Sequence, residues 1–150
     1  MIQEGLLSFL QAQRASKYYI AYSGGLDSHV LLHACAALHR QYPQRFQFEA
    51  IHIHHGLQAV AETWVAHARQ ICADLNLPVN VIYLNLKPVV GESLEAIARQ
   101  ARYQAFSSCL SPDEMLLTAH HQDDQAETFL LNALRGSGGS GLAAMPTVRR

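Results

Sequence analysis

The sequence predicts an α/β fold, with a parallel sheet that carries helices on both faces. Short apolar runs alternate with amphipathic helical patterns along the chain, as in successive βαβ units. The runs are rich in β-forming residues without strict alternation, which is typical of strands buried on both faces. A length of 150 residues and 49% hydrophobic composition suit one globular domain with a sizeable core. The expected architecture is therefore Rossmann-like.

Each predicted element has its own pattern. Leu6, Leu7 and Leu10 form the apolar side of a short N-terminal helix. The predicted strands share apolar, β-forming sequence and cover residues 18–22, 48–54, 79–86 and 115–119. The predicted helices share apolar residues at helical spacing and cover residues 27–42, 61–75, 93–109 and 123–135. Trp64 belongs to this apolar spacing. Residues 136–141, a Gly/Ser run, end the last helix, and neither a strand nor a helix is expected beyond it.

A Ser/Gly loop lies between the first strand and the next helix. It consists of Ser23, Gly24, Gly25, Leu26, Asp27 and Ser28. A turn that opens a helix presents unpaired backbone N–H groups at the positive end of the helix dipole. Glycine lets the backbone approach a ligand closely, and serine hydroxyls add donors. The loop therefore predicts a phosphate or pyrophosphate cradle. Asp27 predicts Mg²⁺ held by one carboxylate and phosphate oxygens, or else a carboxylate that only complements the dipole.

Further polar residues follow the second and fourth strands. Those after the second strand begin at His54 and His55, and those after the fourth are His120, His121, Asp123, Asp124 and Glu127. Carboxyl ends of parallel strands meet at one edge, where ligands of such sheets bind. The acidic group either complements a helix dipole or handles a cation. Asp124 and Glu127 share a helix face and could together hold an ammonium group. A metal-dependent phosphoesterase that uses the His/Asp residues remains an alternative.

Composition limits the partners and the compartment. The formal net charge is −1, so any contact with nucleic acid needs a local patch or another domain. The three cysteines include no CxxC pair, which argues against a paired-cysteine zinc site or a thioredoxin-type motif. They suit buried positions in a reducing compartment. With no apolar run of membrane-spanning length, a cytoplasmic protein without a membrane partner is expected.

Residues 23–28 resemble the PP-loop of the N-type ATP pyrophosphatases. Four further segments narrow this resemblance to the N-terminal catalytic domain of the tRNA(Ile)-lysidine synthetase family, namely residues 54–57, 95–103, 118–128 and 135–142. The resemblance implies an adenine nucleotide alpha hydrolase-like fold. It also implies an ATP-dependent ligase that adenylates the wobble cytidine of isoleucine tRNA at C2. The amine of free lysine then displaces AMP, and pyrophosphate leaves in the first step.

The resemblance also implies roles for particular residues. Residues Ser23 to Ser28 would hold the ATP phosphates with Asp27 on Mg²⁺, His54 and Arg102 would contact the nucleotide, and Asp124 and Glu127 would lie around the lysine. Gln58 stands where many family members have arginine, so one anion contact differs. The family carries further C-terminal domains that help hold the tRNA. The chain is therefore expected to be a piece of a longer protein, a single ATP-binding domain over residues 1–150 that does not complete the reaction alone.

Three other interpretations stay open beside this one. A tRNA thiolase of the same PP-loop group would use cysteine pairs, which this chain lacks. A non-catalytic nucleotide-binding module would hold ATP without turnover, and the metal-dependent phosphoesterase would need resident metal. A homodimer is a further expectation.

Overall fold

Strands and helices alternate from Ile2 to His121 in the computed structural model of the chain. The structure describes residues 2–56, 61–87, 89–121, 128–136, 142–143 and 147–149. Helices α1 to α4 are Ile2–Ala12, Leu26–Gln41, Ala61–Asp74 and Leu94–Cys109. Strands β1 to β7 are Lys17–Ala21, Phe48–His54, Val79–Tyr83, Glu114–His121, Thr128–Arg135, Leu142–Ala143 and Thr147–Arg149. The predicted bounds of β1, β2, α2, α3 and α4 agree closely with these, whereas β3 already ends at Tyr83 and β4 continues to His121.

Among the described residues, β1 lies inside a seven-stranded sheet with the order β3-β2-β1-β4-β5-β6, and β7 pairs with β5. β1 to β4 run parallel, which confirms the parallel sheet. Tyr18 of β1 lies opposite Phe48 on one side and Met115 on the other. Because parallel strands end on the same side of a sheet, the last residues of β1 to β4 form one edge, here called the carboxyl edge.

Side chains of β1 alternate between two cores. Ile20 packs in a core formed with three helices, α1, α2 and α3, through residues such as Leu6, Leu31 and Cys72. Tyr19 packs on the opposite face with Phe106 of α4. Since successive strand residues point to opposite faces, α1 to α3 cover one face and α4 covers the other, as predicted. Within the part of the chain that the structure describes, no helix has the length and apolar character needed to cross a bilayer.

The predicted helix over residues 123–135 is wrong for residues 128–135, which form β5. β5 runs antiparallel to β4, with Leu117 opposite Ala133. An apolar run of this length suits either a helix face or a buried strand, so the pattern alone does not decide. The outer edge of β4 offers unpaired backbone groups, and pairing with β5 satisfies them. The expectation of no strand beyond the Gly/Ser run is also wrong, because β6 and β7 both pair with β5.

Gly136 ends β5 where the backbone packs tightly against the turn before β4. Its N–H donates to Glu114 O at 3.0 Å. A Cβ atom here would collide with the carbonyl oxygen of Ser111 and lie 2.7 Å from Leu110 Cβ. The first position of the predicted Gly/Ser run therefore requires glycine, because another stretch of backbone approaches it closely.

Candidate functional site

The loop between β1 and α2, residues 22–25, reaches α2 at the carboxyl edge. Gly24 makes the turn with φ of +92°, in the left-handed region that glycine tolerates. Gly25 precedes α2 in an extended conformation and makes no side-chain cap. The first helical bond runs from His29 N to Gly25 O at 3.0 Å, so the N–H groups of residues 26–28 come ahead of it. Amides at the start of a helix point outward, which makes this loop suitable for an anion.

The two serine hydroxyls bond within the loop. Ser28 Oγ donates to Gly25 O at 3.1 Å and accepts from Ser23 N at 3.2 Å. It also lies 3.1 Å from Ser23 Oγ. Because the single Ser28 hydroxyl proton is engaged with Gly25 O, Ser23 is the donor in this pair. Ser23 Oγ in turn accepts from Gly25 N at 3.2 Å. The hydroxyls predicted as ligand donors thus brace the loop in this structure.

Tyr22 connects the loop to β2 and α2. Its N–H donates to Ile51 O at 2.9 Å, and its carbonyl oxygen accepts from the buried His52 Nδ1 at 2.9 Å. A carbonyl oxygen only accepts, so Nδ1 carries the His52 proton. The Tyr22 hydroxyl lies 3.2 Å from His29 Nδ1. Burial, together with the neighbouring His33 and His67, lowers the pKa of His29. His52 and His29 therefore support the loop through their contacts with Tyr22.

His54 and His55 end β2 beside this loop. His54 Nε2 lies 3.1 Å from Glu62 Oε1, an ion-pair distance without hydrogen-bond alignment, and its ring centroid is 4.8 Å from that of Tyr83. His55 Nδ1 is buried and has no hydrogen-bond partner among the described residues. Burial first, and then the positive charge of Arg102, lowers the pKa of His55. A buried nitrogen without a partner marks a place for a ligand atom or a water.

Arg102 acts on this edge through its positive charge, from the helix that covers the other face of the sheet. It lies on α4, and its charge acts on His55 at the end of β2. The structure therefore brings together three of the predicted features, namely the loop, the end of β2 and Arg102. Asp27 is half-buried in the first turn of α2.

The sequence did not single out three side chains at this edge, Glu62, Trp64 and Tyr83. Trp64 was expected on the apolar side of α3, yet it is 49% exposed. Its ring lies so close to the loop that a Cβ atom at Gly24 would be 3.5 Å away. Glu62 and Tyr83 both contact His54. Their positions in the chain could have indicated them, because a crossover helix that follows a parallel strand begins at the ligand-binding edge.

The profile of the ATP-binding PP-loop domain family matches residues 1–150. The chain belongs to the PP-loop domain family. It is 49% identical over 148 residues to a tRNA(Ile)-lysidine synthase of Coxiella burnetii, covering 98% of this chain and 32% of that protein. It is 56% identical over 137 residues to a tRNA(Ile)-lysidine synthase of Alkalilimnicola ehrlichii, covering 90% of this chain and 30% of that one. The chain thus spans about a third of the length of these curated relatives.

A solved structure shares the fold of this PP-loop domain. It is a U34-tRNA thiolase from Methanococcus maripaludis, described with its [4Fe-4S] cluster. The TM-score is 0.61 at 16% identity, over 71% of this chain and 39% of that one. At this identity the likeness supports the α/β architecture and nothing finer.

Several predicted residues of the PP-loop domain lie outside the part that the structure describes. These are Asp123, Asp124 and Glu127, together with Gln58 and residues 137–141. His120 and His121 are placed by their backbone alone, at the end of β4 opposite Leu130 and Phe129. Their convergence with the loop therefore stays a prediction.

The cysteines of the PP-loop domain lie apart. Cys35 and Cys72 are buried in the core beneath α1 to α3, whereas Cys109 packs on the opposite face. Burial raises the pKa of Cys72 to about 11 and also raises that of Cys35 and Cys109. Protonated thiols are weak nucleophiles and weak metal ligands. Among the described residues, no three His, Cys, Asp or Glu side chains are placed to hold a metal ion. The described side chains thus give no support to a resident metal cluster.

Proposed function

We propose that this PP-loop domain is the ATP-binding catalytic part of a ligase that joins lysine to C2 of the wobble cytidine of isoleucine tRNA. The observation that carries the proposal is the braced loop at the start of α2, whose leading N–H groups suit an anion. Similarity to proteins named tRNA(Ile)-lysidine synthase supports the choice of substrate.

In the first step, the triphosphate of ATP lies on the open N–H groups at the start of α2. The cytidine O2 attacks the α-phosphorus, and the bond to pyrophosphate breaks. Mg²⁺, when bound, would be held by Asp27 and phosphate oxygens and would neutralise charge on the leaving pyrophosphate. A half-buried carboxylate in the first turn of an anion-binding helix suits that ion, since it would otherwise repel the phosphates.

Arg102 and the end of β2 would complete the nucleotide site. The Arg102 guanidinium always carries its charge and can grip a phosphate through two parallel hydrogen bonds. Among the described residues, Nδ1 of His55 has no hydrogen-bond partner, which suits it to a ligand atom. His54 would contact the nucleotide from a position set by Glu62 and Tyr83.

In the second step, the neutral amine of lysine attacks C2 of the adenylated cytidine. The bond from C2 to oxygen breaks, AMP leaves, and the amine loses a proton. A nearby carboxylate is suited to accept it. We assign Asp124 and Glu127 to the lysine, because carboxylates spaced three residues apart would hold an ammonium group before it is deprotonated.

The remaining parts of the proposal concern the whole protein. It acts in the cytoplasm on isoleucine tRNA and free lysine, and two copies associate. Further C-terminal domains hold most of the tRNA, consistent with the net charge of −1 on this chain. Sedimentation of the full-length protein tests the association.

The deciding experiment measures the mass of isoleucine tRNA after incubation with the full-length protein, ATP and lysine. The tRNA is expected to gain the mass of one lysine less one water, and one AMP and one pyrophosphate should form per tRNA. Omission of lysine is the matched control. ATP binding without any mass gain would instead support a non-catalytic nucleotide-binding module. Metal that survives dialysis in stoichiometric amount, with phosphoester hydrolysis, would support the phosphoesterase.

A further inference from the structure

Trp64 is a large apolar side chain left half in solvent at the proposed ATP site. It lies on the first turn of α3 and is 49% exposed, whereas Val65 beside it is 4% exposed. Part of the ring contacts the loop, since a Cβ atom at Gly24 would be 3.5 Å from Trp64 Cε3. Leu26, the first residue of α2 after the loop, is 67% exposed. Apolar surface therefore flanks a loop whose own polar groups suit phosphate.

Beside its contact with Gly24, much of the indole surface stays exposed to solvent. A tryptophan that only filled space would bury most of its area, because that burial is what stabilises the fold. Among the described residues, cation–π contacts are made to the rings of Tyr19, Tyr42, Phe46 and Tyr103, and none is made to this indole. His67 stands almost perpendicular to it, at 84°, and so does not stack on it.

We infer that Trp64 is the stacking platform for a nucleobase next to the phosphate loop. The inference rests on the proposed function, which brings two kinds of nucleobase to this edge. One is the adenine of ATP, and the other is a base of the RNA whose cytidine must reach the α-phosphate. Every base offers a π-face, and stacking on an aromatic ring is the usual way in which proteins hold an unpaired base. The shared ligand chemistry is therefore a flat heteroaromatic ring joined to a phosphate.

The chain carries a direct reporter, because Trp64 is its sole tryptophan. Emission from the 150-residue chain reports the surroundings of this one ring. The probes are MgATP, magnesium tripolyphosphate, which has phosphates but no base, and the anticodon stem–loop of isoleucine tRNA. Stacking predicts quenching by ATP, by the stem–loop or by both, clearly beyond that caused by tripolyphosphate. The probe that quenches identifies the base. Equal responses to all three probes would overturn the inference.

Two substitutions separate stacking from packing. Trp64→Leu keeps an apolar side chain but removes the π-face, whereas Trp64→Phe keeps an aromatic ring. Calorimetric titration of the leucine variant is expected to show about 5- to 150-fold weaker binding of the base-bearing probe, which corresponds to the usual effect of losing one stacked base. Binding of tripolyphosphate should stay unchanged, and the phenylalanine variant should lie close to the wild type.

Equal weakening of the base-bearing probe and tripolyphosphate in Trp64→Leu would mean that the ring only supports Gly24, and the inference would be wrong. If the leucine variant does not fold, the wild-type fluorescence and the phenylalanine variant still decide. Failure of the proposed function looks different, because isoleucine tRNA would then gain no lysine mass with the full-length protein, whichever probe quenches Trp64.

Discussion

The Ser28 hydroxyl holds the loop between β1 and α2 in shape, and removing it should cost measurable stability. Ser28 is 5% exposed, and its Oγ contacts Ser23 N at 3.2 Å, Gly25 O at 3.1 Å and Ser23 Oγ at 3.1 Å. Ser28→Ala leaves the Ser23 N–H without its acceptor, whereas Gly25 O loses one of two donors and keeps the bond from His29 N. A polar group left unsatisfied costs about 1–3 kcal/mol when it is buried. Because Ser23 and Gly25 are themselves exposed, water satisfies part of this loss, and we expect about 1–2 kcal/mol.

The assay is urea unfolding of the 150-residue chain. With a slope of about 1–3 kcal/mol per molar urea, the midpoint should fall by roughly 0.3–2 M. Ser107→Ala is the matched control, because that serine is exposed on α4 and alanine favours helix. Its midpoint should stay or rise slightly. An unchanged midpoint in Ser28→Ala would refute the account of the loop as internally braced.

Four further predictions concern the site and the sheet. Asp27→Ala should abolish pyrophosphate release by the full-length protein with little loss of folding, and retained release would contradict the role on Mg²⁺. Asp124→Ala should raise the lysine requirement far more than the ATP requirement in steady-state kinetics, whereas equal changes would contradict its assignment to lysine. Arg102→Met should raise the pKa of His55, measured by NMR titration. Because the folded state disfavours the charged imidazole, the free energy of unfolding of the wild type falls as the pH drops through the usual histidine range near 6.5, and the variant should lose less of this free energy. Gly136→Ala should destabilise the chain by about 1–3 kcal/mol in urea unfolding, since the added Cβ meets Ser111 and Leu110, and a neutral effect would argue against the antiparallel register of β5.

The positions of the site elements could be predicted because local chemistry determines them. The β1–α2 connection needs glycine for its turn, and the Ser/Gly sequence shows this directly. β2 was predicted with its bounds unchanged, because an apolar, β-rich run ends at the polar His54 and His55. The edge at which these elements meet follows from the handedness of parallel connections.

Other features depend on contacts between distant segments. The apolar run over Thr128–Arg135 forms β5 because β4 offers it an open edge. The hydrophobic periodicity of a segment does not show whether a distant strand has an edge open for pairing. Trp64 has helical spacing, but only the approach of Gly24 decides which part of the ring is buried. The direction of the Ser23 and Ser28 hydroxyl protons likewise depends on the folded geometry of the loop.

The partner of β1 on one side is a strand that comes much later in the chain. Ser16 N–H bonds to Asp113 O across 97 residues, and Lys17 of β1 lies opposite Glu114 of β4. Pairing across such a separation folds slowly, because a long loop must close before the contacts form. During synthesis the loop between β1 and α2 therefore leaves the ribosome early, but the β1 edge that faces β4 stays unpaired until β4 has emerged. The site is encoded near the start of the chain but should become competent to bind only after β4 has emerged.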